Sequence, residues 1–239
     1  GHAGHRMTNV DSPPTSSLMA AGAAFLVAAI AWNLIGNLAL PDAWYVPANL
    51  VVAAALVAGA RAIGLEWGEL GLDRKSLGRG ALIGLAASAL VALVIGLGLI
   101  VPAIESYFED DGVAEDSTFD RWYVPLVRIP LGTAVFEEVL FRSVLLAVAV
   151  RLWGLRRAVA STSILFGLWH VVPAWESSSG SAAATVGVIG ATVLITTVAG
   201  VLFAVLRVWS GSVLAPVLAH WATNSLSYGA ALLALETIE

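Results

Sequence analysis

Three charges sit close together where the surrounding Leu, Val, Phe and Ala offer little water: Glu137, Glu138 and Arg142, in Glu137-Glu138-Val139-Leu140-Phe141-Arg142. A charge at bilayer depth costs roughly 2.5–3.5 kcal/mol on insertion scales unless it finds a partner or water. Glu138 and Arg142 are i and i+4 on a helix, so they share a face and can pair. Glu137 then points about 100° away and is left to face something else. Two further groups supply candidates. His170 ends Phe166-Gly167-Leu168-Trp169-His170, and His220 and Asn224 stand one turn apart in His220-Trp221-Ala222-Thr223-Asn224. A carboxylate beside neutral imidazoles in a wet pocket can take a proton from water, with or without a metal. A neighbouring amide can donate to a developing oxyanion. Together these are the parts of a hydrolase that works with activated water.

Each group has a plainer reading when taken alone. A lone histidine in a span is more often a packing or hydrogen-bonding residue, and Glu138–Arg142 alone is a structural pair. Trp169, Trp221 and Phe166 read as bundle packing or pocket wall. The case for chemistry is the set, because every buried polar group must be offset energetically.

The elements that must position the set are membrane helices. Of 239 residues, 59% are hydrophobic and 12% charged, against about 25% charged in a soluble domain. The fold class is therefore all-α, a polytopic transmembrane bundle around a polar intramembrane cavity. Net charge is −5, which gives no footprint for nucleic acid. The absence of cysteine excludes disulfides, thiolate metal sites and a cysteine nucleophile. Residues 1–16 read as an expression remnant followed by a polar, mobile tail. Residues 17–60 read as two N-terminal spans, about 17–40 and 45–60. Asn33 and Asn37, one turn apart in the first, read as interhelical hydrogen bonders. Residues 61–239 read as an interfacial segment, 61–80, followed by the core carrying the candidate site. Its spans are about 80–100, 122–150, 158–175, 183–208 and 212–235, making seven, and an eighth short or re-entrant helix is compatible with the pattern. The 29 residues of 122–150 exceed the ~20 that a span needs, so this helix tilts, kinks near Pro130 or projects. Seven acids (Glu105, Glu109, Asp110, Asp111, Glu115, Asp116, Asp120) read as a solvated loop.

Basic residues sort between loops: four in 61–80, three in 151–157, and Arg207 at the next turn on the same side. The positive-inside rule puts these in the cytoplasm, with the N-terminus inside. Depth then follows by counting. Glu137 is 13 residues before Val150 and His170 is 13 after Arg157, so at ~1.5 Å per residue both lie ~20 Å in. His220 and Asn224 come out ~12 and ~18 Å in on the last span. Two carboxylates, a guanidinium, two imidazoles and an amide can thus share one layer.

Glu137-Glu138-x-x-x-Arg142, Phe166-x-x-x-His170 and His220-x-x-x-Asn224, in this order on three spans, resemble the CPBP family of CAAX prenyl protease type II and bacteriocin-processing or Abi proteins. The resemblance covers about residues 60–235. It implies an intramembrane endopeptidase with a conical cavity in a helical bundle. Glu137 would be the general base, and His170 would position or polarise the water. His220 and Asn224 would form the oxyanion hole, and Glu138 with Arg142 would hold the motif helix. If a metal is bound, Glu137, His170 and His220 have the donors for zinc or another divalent ion with an open position. The sequence does not choose between the metal-bound and metal-free site. Expected partners are membrane lipid and a peptide or membrane-protein substrate, in a prokaryotic cell membrane. The alternatives are a catalytically silent scaffold or bacteriocin-immunity-type protein and, without a visible inverted repeat, a transporter or proton relay.

Overall fold

The computed structural model describes residues 15–100, 117–178 and 180–236, and all the regular structure described is helical. The N-terminal remnant and Glu105, Glu109, Asp110, Asp111, Glu115 and Asp116 lie outside the described residues. The long helices are α1 (Thr15–Leu38), α2 (Asp42–Ala62), α3 (Leu77–Leu99), α4 (120–153), α5 (Leu155–Trp169), α7 (Ala182–Ser210) and α8 (Leu214–Glu236). A short α6 (Val171–Glu176) follows α5. Every helical stretch expected from the sequence is present within a few residues of its expected ends. Five segments are long and apolar enough to cross a membrane by length and composition: Thr15–Leu38, Asp42–Ala62, Arg74–Leu99, Leu155–Glu176 and Ala182–Ser210. The other two expected spans, α4 and α8, carry Glu137, Glu138, Arg142, His220 and Asn224.

Local sequence explains the breaks. Pro41 caps α2 in an extended conformation, and Asp42 sits in its first turn, where a carboxylate suits the positive end of the helix. Gly154 turns the chain from α4 to α5 at φ 76°, a conformation glycine adopts without penalty. α7 begins with Ser181 Oγ accepting from the Ala184 amide and ends at Gly211 in the left-handed region.

Within α4 the backbone bonding is π-type over Val124–Ala134 and Val139–Leu145. Pro130 has no N–H to donate, and its ring crowds the carbonyl four residues earlier. The wider turn accommodates both, so the irregularity expected near Pro130 is a widening of the helix. Such segments recur at functional sites, and the four-residue α-helical turn between these two, Val135–Glu138, carries both glutamates.

α8 packs on α3 and on the first half of α4, and α7 packs on α5. The α5–α7 approach depends on Gly167, where any Cβ would run into Thr197 Oγ1 and the Val193 carbonyl. Small residues at such crossings let membrane helices touch backbone to backbone. α2 is tied to α4 by Arg128–Asp42 at 3.1 Å, with the guanidinium 4.6 Å over the Tyr45 ring.

Segment 63–76 is made of turns and a 3-10 turn, Arg74–Ser76. It folds under one end of the bundle, with Leu65 and Leu70 fully buried. Glu69 accepts from Arg151 through both oxygens, at 2.7 and 2.6 Å. Arg207 donates to the carbonyls of Gly68 and Glu69. Gly71 has φ 69°, and a Cβ there would collide with the Arg207 guanidinium.

Candidate active site

α4 brings Glu137, Glu138 and Arg142 into the bundle interior at 6%, 0% and 1% exposure. Arg142 Nη1 donates to Glu138 Oε1 at 3.1 Å, the pair expected from the i, i+4 spacing. The guanidinium lies 3.9 Å from the Phe166 ring centre and 5.3 Å from that of Phe203. Aromatic faces attract a desolvated cation, an effect of about 2 kcal/mol. They partly offset the burial of this one.

His220, buried on α8, stacks on Phe203 with ring centres 5.0 Å apart. Its Nδ1 is 2.9 Å from Glu138 Oε1. A carboxylate paired with arginine can only accept, so Nδ1 carries the proton. Nε2 then faces Glu137 Oε2 at 3.8 Å, beyond direct hydrogen-bond reach. From the sequence, His220 was a candidate partner for Glu137; in the fold its hydrogen bond goes to Glu138.

Glu137 is held differently. Its Oε1 accepts from Trp169 Nε1 at 3.0 Å, while Oε2 has no hydrogen-bond partner among the described residues. Trp169, read from the sequence as packing or wall, is thus a donor to the carboxylate. It also packs on Phe136 and Phe141, with ring centres 5.9 and 5.6 Å away.

His170 stands at the break between α5 and α6, with φ −87° and ψ 2°. Pro173 explains the break. Its ring cannot coexist with a helical carbonyl at Trp169, four residues before. The freed Trp169 carbonyl accepts instead from Asn33 Nδ2 of α1 at 3.1 Å, so the expectation that Asn33 bonds between helices holds. His170 Nδ1 lies 2.7 Å from the Phe166 carbonyl. Nδ1 must again be the donor, which leaves Nε2 as a free acceptor.

One cavity of about 270 Å³ joins these groups. Glu137, Trp169, His170 and Asn224 line it together with Trp32, Asn33, Gly36 and Asn37 of α1 and Tyr45 and Asn49 of α2. Glu138, Arg142 and His220 stand behind Glu137 rather than in the cavity wall. All six motif residues are therefore in one neighbourhood, in two layers. Among the described residues no three His, Cys, Asp or Glu side chains form a group able to hold a metal. Of the three candidate ligands, Glu137 Oε2 lies 3.8 Å from His220 Nε2, and His170 lines the same cavity as Glu137.

Residues 120–226 match the family described as Type II CAAX prenyl endopeptidase Rce1-like, and this stretch carries a domain of that family. It includes Glu137, Glu138, Arg142, His170, His220 and Asn224, and it omits α1, α2 and α3. The family is one of proteases, and with the apolar helices it makes the chain an integral membrane protein. Neither the curated proteins nor the solved structures contain a significant match.

Proposed function

We propose that the Rce1-like domain is an intramembrane endopeptidase that hydrolyses peptide bonds with water activated by Glu137. The observation that carries this reading is the division of labour between two adjacent carboxylates. Glu138 is committed to Arg142 and His220. Each carboxylate keeps its Oε2 buried without a hydrogen-bond partner among the described residues, but of the two it is Glu137 that lines the cavity.

In the proposed reaction a water in the cavity lies between the Glu137 carboxylate and Nε2 of His170. Glu137 takes one proton as the water oxygen attacks the scissile carbonyl. The carbonyl electrons move to oxygen, which receives a hydrogen bond from the Asn224 amide. Glu137 then passes its proton to the departing amine, the C–N bond breaks, and the carboxylate is restored. We further propose that α4 and α8 complete seven spans with the N-terminus in the cytoplasm, in a prokaryotic membrane. Substrates are peptides or membrane-protein tails.

The test is Glu137→Gln in proteoliposomes against a peptide panel read by mass spectrometry. Gln cannot accept the proton, so cleavage is expected to fall by at least about 10³-fold, with an unchanged melting midpoint. Undiminished turnover by the variant would rule the reading out. A catalytically silent scaffold would instead bind peptide equally well with either residue.

A further inference from the structure

We propose that α1 supplies a binding subsite for peptide backbone, built from Asn33, Gly36 and Asn37 on the wall of the cavity that Glu137 also lines. The proposal rests on the peptidase reading above and names how that site holds its substrate. It concerns residues outside the 120–226 stretch that matches the protease family.

The three residues are spaced i, i+3, i+4 and so lie on one face of α1, and all three line the cavity that Glu137 lines. Both side-chain amides are fixed by their own donors. Asn33 Nδ2 donates to the Trp169 carbonyl at 3.1 Å, and Asn37 Nδ2 to the Asn33 carbonyl at 2.8 Å. Neither Oδ1 has a hydrogen-bond partner among the described residues. Asn33 is 8% exposed and Asn37 is exposed. What remains on this wall is a pair of oriented acceptors, which complement a ligand offering N–H donors.

Gly36 lies between them, and a Cβ built there meets nothing within 4 Å. The wall therefore has a bare strip where a chain can lie against the helix backbone. The asparagines are one turn apart, about 5.4 Å. Alternate N–H groups of an extended chain recur about every 6.8 Å, a difference that two side-chain amides can take up. An extended peptide lying along this strip occupies the cavity that Glu137 lines. Because Asn33 also holds the Trp169 carbonyl, the subsite and the donor to Glu137 are mechanically linked.

The test uses a panel of quenched fluorogenic peptides with wild-type protein in proteoliposomes. A peptide cut by wild type but not by Glu137→Gln is carried forward. Asn37→Leu is expected to raise KM roughly three- to tenfold, the worth of one hydrogen bond, with kcat within about twofold. Gly36→Leu should lower kcat/KM by more than about tenfold by filling the strip. Its melting midpoint should stay unchanged or rise, since Leu is the better helix former. Replacing single peptide N–H groups by ester oxygens should reveal one position that costs wild type the same factor and costs Asn37→Leu nothing further. If wild type cuts nothing in the panel, the peptidase reading falls and the subsite with it. If Glu137 proves essential while Gly36→Leu and Asn37→Leu cleave like wild type, the subsite alone is overturned.

Discussion

His220 reaches the motif helix through Glu138: its Nδ1 lies 2.9 Å from the same Oε1 that accepts from Arg142 Nη1. One carboxylate oxygen thus holds a guanidinium from its own helix and an imidazole from α8. Removing Glu138 alone leaves the Arg142 cation buried without a counter-charge, at a cost of about 3–5 kcal/mol. Glu138→Met is therefore expected to destabilise the protein strongly. Glu138→Met with Arg142→Met replaces the pair by apolar volume and should recover most of the melting midpoint. Cleavage should stay down by about 10²-fold or more, because His220 has lost the acceptor that fixes its ring. Recovery of both stability and cleavage would show that Glu138 serves Arg142 alone.

Trp169→Phe removes the donor to Glu137 and keeps an aromatic ring against Phe136 and Phe141. A hydrogen bond to a charged group contributes about 1.5–3 kcal/mol. The expected outcome is a kcat roughly tenfold or more lower, with a melting midpoint close to wild type. The comparison of kcat with thermal unfolding in the same detergent checks it.

Glu69 gives the stability a pH dependence remote from the site. Partial burial pushes its carboxyl up, but the hydrogen bonds from Arg151 and from the Glu66 amide, with the charges of Arg151 and Arg61, outweigh that and hold it below the ordinary value of 4.5. A group depressed in the folded state stabilises the fold above its unfolded pKa and loses that contribution as pH falls through its folded one. Stability is expected to decline as pH drops below about 4.5. Glu69→Gln should flatten that part of the profile and lower the midpoint at neutral pH. Thermal unfolding across pH 3 to 7, wild type against variant, measures it.

The proposed orientation can be read without background, since the chain has no cysteine. Single cysteines at Ala43 and Arg156 are expected to label from opposite sides of the membrane with an impermeant maleimide. Labelling of Ala43→Cys only from the cytoplasmic side would reverse the orientation.

What could be read from the sequence was mostly what is local to one helix. The seven long helical stretches followed from runs of apolar residues, and Glu138–Arg142 from a four-residue spacing. Relations between helices were harder. α1 is apolar on nearly every side, so its pattern does not say which face meets protein and which meets lipid, and its share of the cavity wall was invisible. The sequence pointed His220 at Glu137, and nothing local to α8 signalled that its hydrogen bond goes to Glu138. The break at His170 did have a signal, since Pro173 cannot follow a helical Trp169 carbonyl. The role of Trp169 as a donor had none, because tryptophan in such a stretch is ordinarily packing.

The turn at Gly154 sets a constraint on how the chain can change length. Glu137 stands 17 residues before it and His170 stands 16 after, and no loop intervenes to absorb an error. One residue gained or lost in α5 would turn His170 by about 100° and move it by about 1.5 Å relative to Glu137. The α4 arm is more forgiving, because a helical turn that already runs in π-type bonding can take up or release one residue without rotating everything beyond it. Length changes among relatives are therefore expected in the α6–α7 connection and at the π-type segments of α4, and absent from Leu155–Trp169.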